Sequence, residues 1–420
     1  MNGRLQSGIY LSDDPRIGNS LCVLFLRFSD KNKMKEIRES MFNLWTKLDK
    51  LRQGIIEDLD TSPTKRSTGN LTILVGYSRR FFLLNGITKQ PPVNFPTMFN
   101  QPNPEGGGPI VNDSRLFYSK DVHYNHALDD HILIQFIADT EFYTGRALME
   151  TWKEIKKINK NSEAEIIVIS GYYTGFHSPT GRNLLGFHDG VSNIKSSERY
   201  DQVAIRSPNK RTDSWTIGGT YMSFIRISFN YRIWDQLSIN KQEIIIGRNK
   251  KTGCPIVAVD HKGRPIQDSK CPVYGTYDVL DKGNEVFRDI TSYGNQRLPP
   301  TYSHEILEYS HISVTKNTNR LNNPFHSDGR IFRQGFQFIE PNNDHSSFEY
   351  GLNFISFQND PLSLINSLNY QASPPKPNIN LRDEKINQLE QFLSINVAGL
   401  YFVPPTEGKG QMPGLRMFFE

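Results

Sequence analysis

The chain has 420 residues, 37 % of them hydrophobic and 11 % aromatic, with a net charge of +5. That length exceeds what one growing core usually reaches, so two domains or one duplicated architecture are expected. Scattered charges of both signs exclude a nucleic-acid-binding face, and strand-sized apolar runs exclude a membrane span of ~20 residues.

No basic region followed by an apolar one opens the sequence. The cysteines Cys22, Cys254 and Cys271 are odd in number and lack metal spacing. They read as reduced thiols of a cytoplasmic protein.

Strand-like runs occupy 20–28, 70–78, 131–139 and 164–172, and apolar residues at three- and four-residue spacing predict helices over 31–55 and 140–158. Between them, 89–109 is too rich in Pro, Asn and Gly to be regular. The later chain repeats the plan. Strands are expected at 218–230, 329–339, 350–360 and 398–405, and helices near 231–243, 361–371 and 384–395. Ile134-x-Phe136-x-x-Asp139 echoes Ile355-x-Phe357-x-x-Asp360, each closing a strand before a helix. The pattern implies two α+β halves, 1–180 and 181–420, each an antiparallel sheet covered by helices on one face. Residues 247–305, polar and turn-rich, read as an insertion folded over the surface.

"GRNLLGFHDGVSN" (181–193) sets Asp189 between Gly186 and Gly190. Alone, this suits a tight turn, although the glycines would also let the backbone approach a flat ligand. His123 and His126 form a His-x-x-His pair with no consistent helical face and no third ligand, and read as solvated. The stretch "GGGP" (106–109) lacks the lysine and helix of a phosphate cradle. No Cys-x-x-Cys pair, phosphate loop or Gly-x-Ser-x-Gly elbow occurs, which counts against zinc enzymes, nucleotide-dependent transferases and hydrolases.

Three later pieces remain: His311 in "YSHIS", Arg333 within "IFRQGF", and Asp360 at the end of "FISFQND". A guanidinium in an apolar strand is costly to bury without an anion, so it faces solvent or a charged ligand. Alternation puts Arg333 on one face with Ile331 and Gly335, where the glycine leaves room for something broad.

These segments resemble the dye-decolourising peroxidases, a haem enzyme family. Its Gly-x-x-Asp-Gly signature is matched by Gly186–Gly190, its proximal histidine by His311, its distal arginine by Arg333, and the carboxylate behind the histidine by Asp360. The segments "IIGRNKKTG" (245–253) and "GGTYMSFIRI" (218–227) are also similar to family stretches. Departures are Val191-Ser192-Asn193-Ile194 where many members have Thr-x-Asn-Pro, and Ile-Ser rather than Ile-Arg after His311. The long insertion is similar to that of the longer-chain subgroups.

The resemblance implies duplicated ferredoxin-like domains, a dimeric α+β barrel whose two antiparallel sheets face each other with helices outside. It also implies one haem b per chain in the second half, with His311 on the iron and Asp360 behind it. Asn193 and Arg330 would be further haem contacts. Asp189 would move the proton of hydrogen peroxide and Arg333 would stabilise developing negative charge, with activity biased to acidic pH. One-electron donors such as dyes and phenolic compounds would be oxidised, and a homo-oligomer is compatible. The alternatives are a non-enzymatic haem-binding or haem-delivery protein, and a haem-free barrel holding another ligand.

Overall fold

The computed structural model describes residues 4–11, 17–29, 34–56, 66–92, 130–178, 181–190, 193–207, 211–271, 310–316, 330–341, 347–364, 392–406 and 410–418, with positions 95, 110, 111, 114, 115, 307 and 408. His123, His126 and the 106–109 glycines lie outside them.

In chain order the elements are β1 (Ser20–Phe28), α1 (Met34–Arg52), β2 (Thr72–Ser78), the two-residue strands β3 (Ile110–Val111) and β4 (Ser114–Arg115), β5 (Ile132–Ala138), α2 (Glu141–Lys160) and β6 (Ile167–Phe176). Then follow α3 (Ser196–Val203), β7 (Thr220–Phe229), α4 (Tyr231–Trp234), α5 (Ile239–Ile246), β8 (Ile256–Val259), β9 (Pro265–Gln267), α6 (His311–Lys316), β10 (Phe332–Pro341), β11 (Phe348–Gln358) and β12 (Leu393–Val403).

Eight strands close into a barrel in the order β1-β5-β2-β12-β7-β11-β10-β6. Within it, β6-β1-β5-β2 and β12-β7-β11-β10 are two four-stranded antiparallel sheets with the same internal order, fourth-first-third-second. This is the duplicated ferredoxin-like arrangement expected from the sequence.

The two sheets barely touch where they meet. β2 and β12 share the pairs Ser78–Tyr401 and Tyr77–Phe402, and β6 and β10 share Phe176–Gln337. Side-chain amides fill the gaps, because unpaired strand edges must be satisfied. Gln6 donates to Val75 O and Pro404 O at 3.0 and 2.8 Å and accepts from Val75 N at 2.9 Å. At the other seam Asn193 does the same for β10, as described below.

Alternation along the strands makes two cores. Inward residues such as Val23, Phe25, Leu133, Phe224, Phe336, Phe357 and Tyr401 fill the barrel. Outward residues of β1, β2 and β5 pack under α1 and α2, which bury Ile37, Met41, Leu44, Trp45 and Leu48 on one helical face and Ala147, Ile155 and Ile158 on the other.

Three expectations are corrected. Residues 393–395 of the helix expected near 384–395 belong instead to β12, whose β-branched residues pair with β7, and 384–391 lie outside the described residues. The helix over 231–243 breaks into α4 and α5 because Ser238 caps a new start, accepting from Lys241 N. The cysteines are not all reduced: Cys254 and Cys271 form a disulfide, since the β8–β9 hairpin brings their Cα atoms to 5.9 Å, while Cys22 stays a buried thiol. Within the described part of the insertion, Thr252, Cys254 and Ile256 are buried. Among the described residues no helix is long and apolar enough to cross a membrane.

Candidate active site

Asp189 sits in a short hairpin that its own sequence folds. Asn183 N donates to Phe187 O, Phe187 N to Asn183 Oδ1, and Asp189 N to Gly181 O, all between 2.8 and 3.0 Å. Gly186 and Gly190 take φ of +86° and +73°, a region that side chains disfavour, so the two glycines are required by the turn itself. One carboxylate oxygen of Asp189 accepts from Gly190 N at 2.7 Å. The other faces β10, where a Cβ added at Gly335 would lie 3.4 Å from it. The stretch is thus a tight turn, as one sequence reading has it, and it directs a carboxylate oxygen at the outward face of β10.

Arg333 and Gly335 point outward from the barrel, as alternation predicts, while Phe332, Gln334 and Phe336 are buried inside. Across the sheet Gly335 pairs with Phe354 and Gln337 with Leu352, and Leu352 pairs in turn with Ile227. Ile227, Ile331, Leu352 and Phe354 are half-buried, forming an apolar outward wall around the glycine.

The backbone of Arg333 is held by one side chain. Asn193 Nδ2 donates to Arg333 O at 2.6 Å, and Asn193 Oδ1 accepts from Arg333 N at 3.0 Å and from Ile194 N at 3.0 Å. Arg330 reaches Asn193 O at 3.5 Å and pairs with Glu198 of α3 at 3.5 Å.

His311 is the first residue of α6. Burial, with the charges of Arg333 and Arg248 behind it, pushes its pKa down to about 4, so the imidazole is neutral across the ordinary range. Burial likewise lowers the pKa of Arg333, opposed by the Asp189 carboxylate and reinforced by Arg330. Both residues are half-buried and keep some accessible surface. Arg333 thus senses the acid and the imidazole together. A neutral imidazole is a competent metal ligand, and an acid beside a guanidinium suits proton transfer with charge stabilisation.

Asp360 follows the end of β11 and accepts Leu362 N through Oδ1 at 2.9 Å, capping the turn at 361–364.

Sequence reasoning missed His177 and Arg182. His177 follows β6; its ring packs edge-on to Phe336 with centroids 4.1 Å apart, and its Nε2 is buried without a hydrogen bond. Burial lowers its pKa while the nearby Asp189 charge opposes the shift. Nothing local marks either residue, since both gain their place from loops that the barrel brings together.

A family model described as Dyp-type peroxidase, C-terminal, matches residues 180–408. Proteins named deferrochelatase from Escherichia coli strain K12 and Shigella flexneri are 30 % identical over 130 residues, 30 % of this chain and 30 % of theirs. The matched segment therefore spans less than a third of those relatives. The fold is similar to solved DyP-type peroxidases from Cellulomonas bogoriensis (TM-score 0.64, 18 % identity, 99 % of this chain and 97 % of that one) and Streptomyces coelicolor (0.66, 19 %, 99 % and 96 %). With the family model covering more than half the chain and the duplicated barrel present, the protein belongs to the Dyp-type peroxidase family.

Proposed function

We propose that the chain is a haem-dependent peroxidase that reduces hydrogen peroxide and oxidises one-electron donors, with dyes and phenolic compounds as accessible examples. The observation that carries this reading is the placement of Asp189 over β10: its Oδ2 faces Gly335, two residues along the same outward face from Arg333, beside an apolar wall that the glycine leaves open. The residues fit haem b: the wall accepts a flat macrocycle, His311 is kept neutral for iron, and Arg333 and Arg330 supply cations for an anionic cofactor.

Bound haem would supply the redox centre at which the O–O bond of peroxide is cleaved. The chain's own residues would do the rest. His311 would hold the iron, and Asp360 would orient it by accepting its second ring N–H, which strengthens the ligand. Asp189 would take a proton from peroxide at Oδ2 and return it to the departing oxygen as water forms. Its Oδ1 is already fixed by Gly190 N, so the acid keeps its orientation through the transfer. Arg333 would stabilise the negative charge that develops on that oxygen. Asn193 would act on the reaction through β10 by fixing the backbone of Arg333.

The test is peroxide turnover by the haem-loaded chain and by Asp189→Ala and Arg333→Ala. Acid–base work of this kind is worth roughly 10²–10⁴ in rate, so each variant is expected to lose about that while retaining haem. Full activity in both variants would refute the assignment and leave a haem carrier.

A further inference from the structure

Residues 247–254, the turn that joins α5 to β8, touch both the start of α6 and the hairpin that carries Asp189. At one end, a Cβ added to Gly247 would lie 2.6 Å from Ile312 and 2.7 Å from Ser310 Oγ, the two neighbours of His311. At the other, Gly253 packs against the ring of His188, and a Cβ on Gly186 would meet the Lys250 side chain at 2.8 Å.

The turn is internally fixed. Glu243 Oε1 accepts from Asn249 Nδ2 at 2.9 Å and from Lys250 N at 2.7 Å. Asn249 Oδ1 accepts from Lys251 N, Thr252 N and Thr252 Oγ1 at 2.9–3.1 Å, and Arg248 donates to Gly253 O at 2.8 Å. The disulfide from Cys254 to Cys271 closes its far side.

One arginine ties the acid hairpin to this unit. Arg182 Nη1 donates to Gly186 O at 2.9 Å and to Lys250 O at 2.7 Å, and its Nη2 donates to Lys251 O at 2.9 Å. The Nε2 of His188 lies 3.2 Å from the same Lys251 carbonyl. The planar guanidinium reaches three carbonyls that belong to two segments, a geometry the point charge of lysine reproduces only in part.

We infer that the 247–254 turn is a strut that sets the position of Asp189 relative to the His311 helix, with Arg182 the positioning residue through which it acts. The inference rests on the peroxidase reading for its catalytic consequence and on the contacts alone for its mechanical one. Arg182 touches no reacting atom. Its removal unties the Gly186 carbonyl of the hairpin from the 247–254 turn, and displacement by about 1 Å of a group in proton-transfer geometry costs up to 10²-fold.

The experiment compares Arg182→Gln and Arg182→Lys with Arg264→Gln in the full, haem-loaded chain. Arg264 pairs with Asp260 at the exposed tip of the β8–β9 hairpin and serves as the control. Two quantities are read: amide hydrogen exchange over 183–190, and steady-state kinetics resolved into kcat/KM for peroxide and KM for the donor. Arg182→Gln is expected to speed exchange of that segment and lower kcat/KM for peroxide, each by about tenfold. The donor KM stays unchanged, Arg182→Lys recovers part of both effects, and Arg264→Gln changes neither.

Unaltered exchange in Arg182→Gln overturns the strut, and faster exchange with unaltered kcat/KM overturns its positioning role. If the wild type itself shows no turnover while Arg182→Gln still loosens 183–190, the peroxidase reading fails and the strut stands. Should Arg182→Gln not fold, Asn249→Ala, which removes the side-chain bonds to Glu243, Lys251 and Thr252 that fix the turn and does not touch the hairpin, is read by the same two measurements and the same criteria.

Discussion

Asn193 bridges the edge of one strand to its own loop. Both its donor and its acceptor go to the backbone of Arg333, at a place where β6 has already diverged from β10. A buried hydrogen bond contributes about 1 kcal/mol, and an orphaned partner costs about as much again. Asn193→Ala is therefore expected to lower stability by about 2 kcal/mol in denaturant melts, and to reduce peroxide turnover more than the corresponding loss at a distant site.

Gly335 makes the complementary case, for its missing side chain leaves the wall flat. A Cβ there would meet Leu352 Cδ1 at 3.0 Å and Asp189 Oδ2 at 3.4 Å. Gly335→Val suits a strand but fills the gap on its outward face between Leu352 and Asp189. Haem affinity in titration is expected to fall by at least about tenfold, roughly 1.4 kcal/mol, while the haem-free chain melts near the wild-type temperature. The sequence displayed Asp189, Arg333 and Gly335 because each breaks a local pattern: an acid between glycines, a cation in an apolar strand, a gap on its face. Asn193 was legible as a candidate, but its attachment to β10 was not, because that contact spans 140 residues.

Helices α1 and α2 show how an element is fixed by one buried ion pair. Glu150 of α2 lies 3.0 Å from Lys47 of α1 and 2.9 Å from Lys153, with the first pair almost wholly buried. Burial alone would raise the pKa of Glu150. The hydrogen bonds and charges of Lys153 and Lys47 outweigh it and hold the carboxylate below its ordinary value of 4.5. Because the folded value is depressed, the unfolded chain binds more protons in the window below about 4.5, so this stabilisation is present above that pH and lost as pH falls through the window. Glu150→Gln is expected to flatten the acid limb of a stability-versus-pH curve. Lys47→Met, which leaves Glu150 with one partner, is expected to cost about 3 kcal/mol at neutral pH.

The periodicity of α1 and α2 was legible, since their apolar residues recur on one face against a sheet. The charged partners were not. Glu150 and Lys47 look like ordinary solvated residues until the two helices pack side by side. Residues 393–395 misled for the opposite reason: they continue a run that favours helix, and only the pairing of β12 with β7 makes them strand.

At the scale of the molecule, the barrel is two sheets of identical order joined at seams that backbone pairing alone does not close. The pseudo-symmetry extends to the repair, with Gln6 at one seam and Asn193 at the other. Gln6→Ala is expected to destabilise the fold by about 2 kcal/mol and to speed amide exchange at Val75, whose N–H it accepts. It should leave the spectrum of bound haem unchanged, because that seam is remote from Arg333. The duplication was visible in the Ile-x-Phe-x-x-Asp echo, whereas barrel closure rests on contacts between halves that no local pattern encodes.

The seam that Asn193 closes is also where the acid hairpin, the arginine strand and the 247–254 turn converge, so architecture and chemistry meet on one side of the barrel. The central claim is that a haem is held by His311 opposite Asp189 and Arg333. The most direct measurement is the absorption spectrum of the purified, haem-loaded chain beside that of His311→Ala. The account predicts a Soret band of histidine-ligated haem at one per chain in the wild type, and its loss or conversion to a weakly held form in the variant. An identical spectrum and stoichiometry in His311→Ala would contradict it.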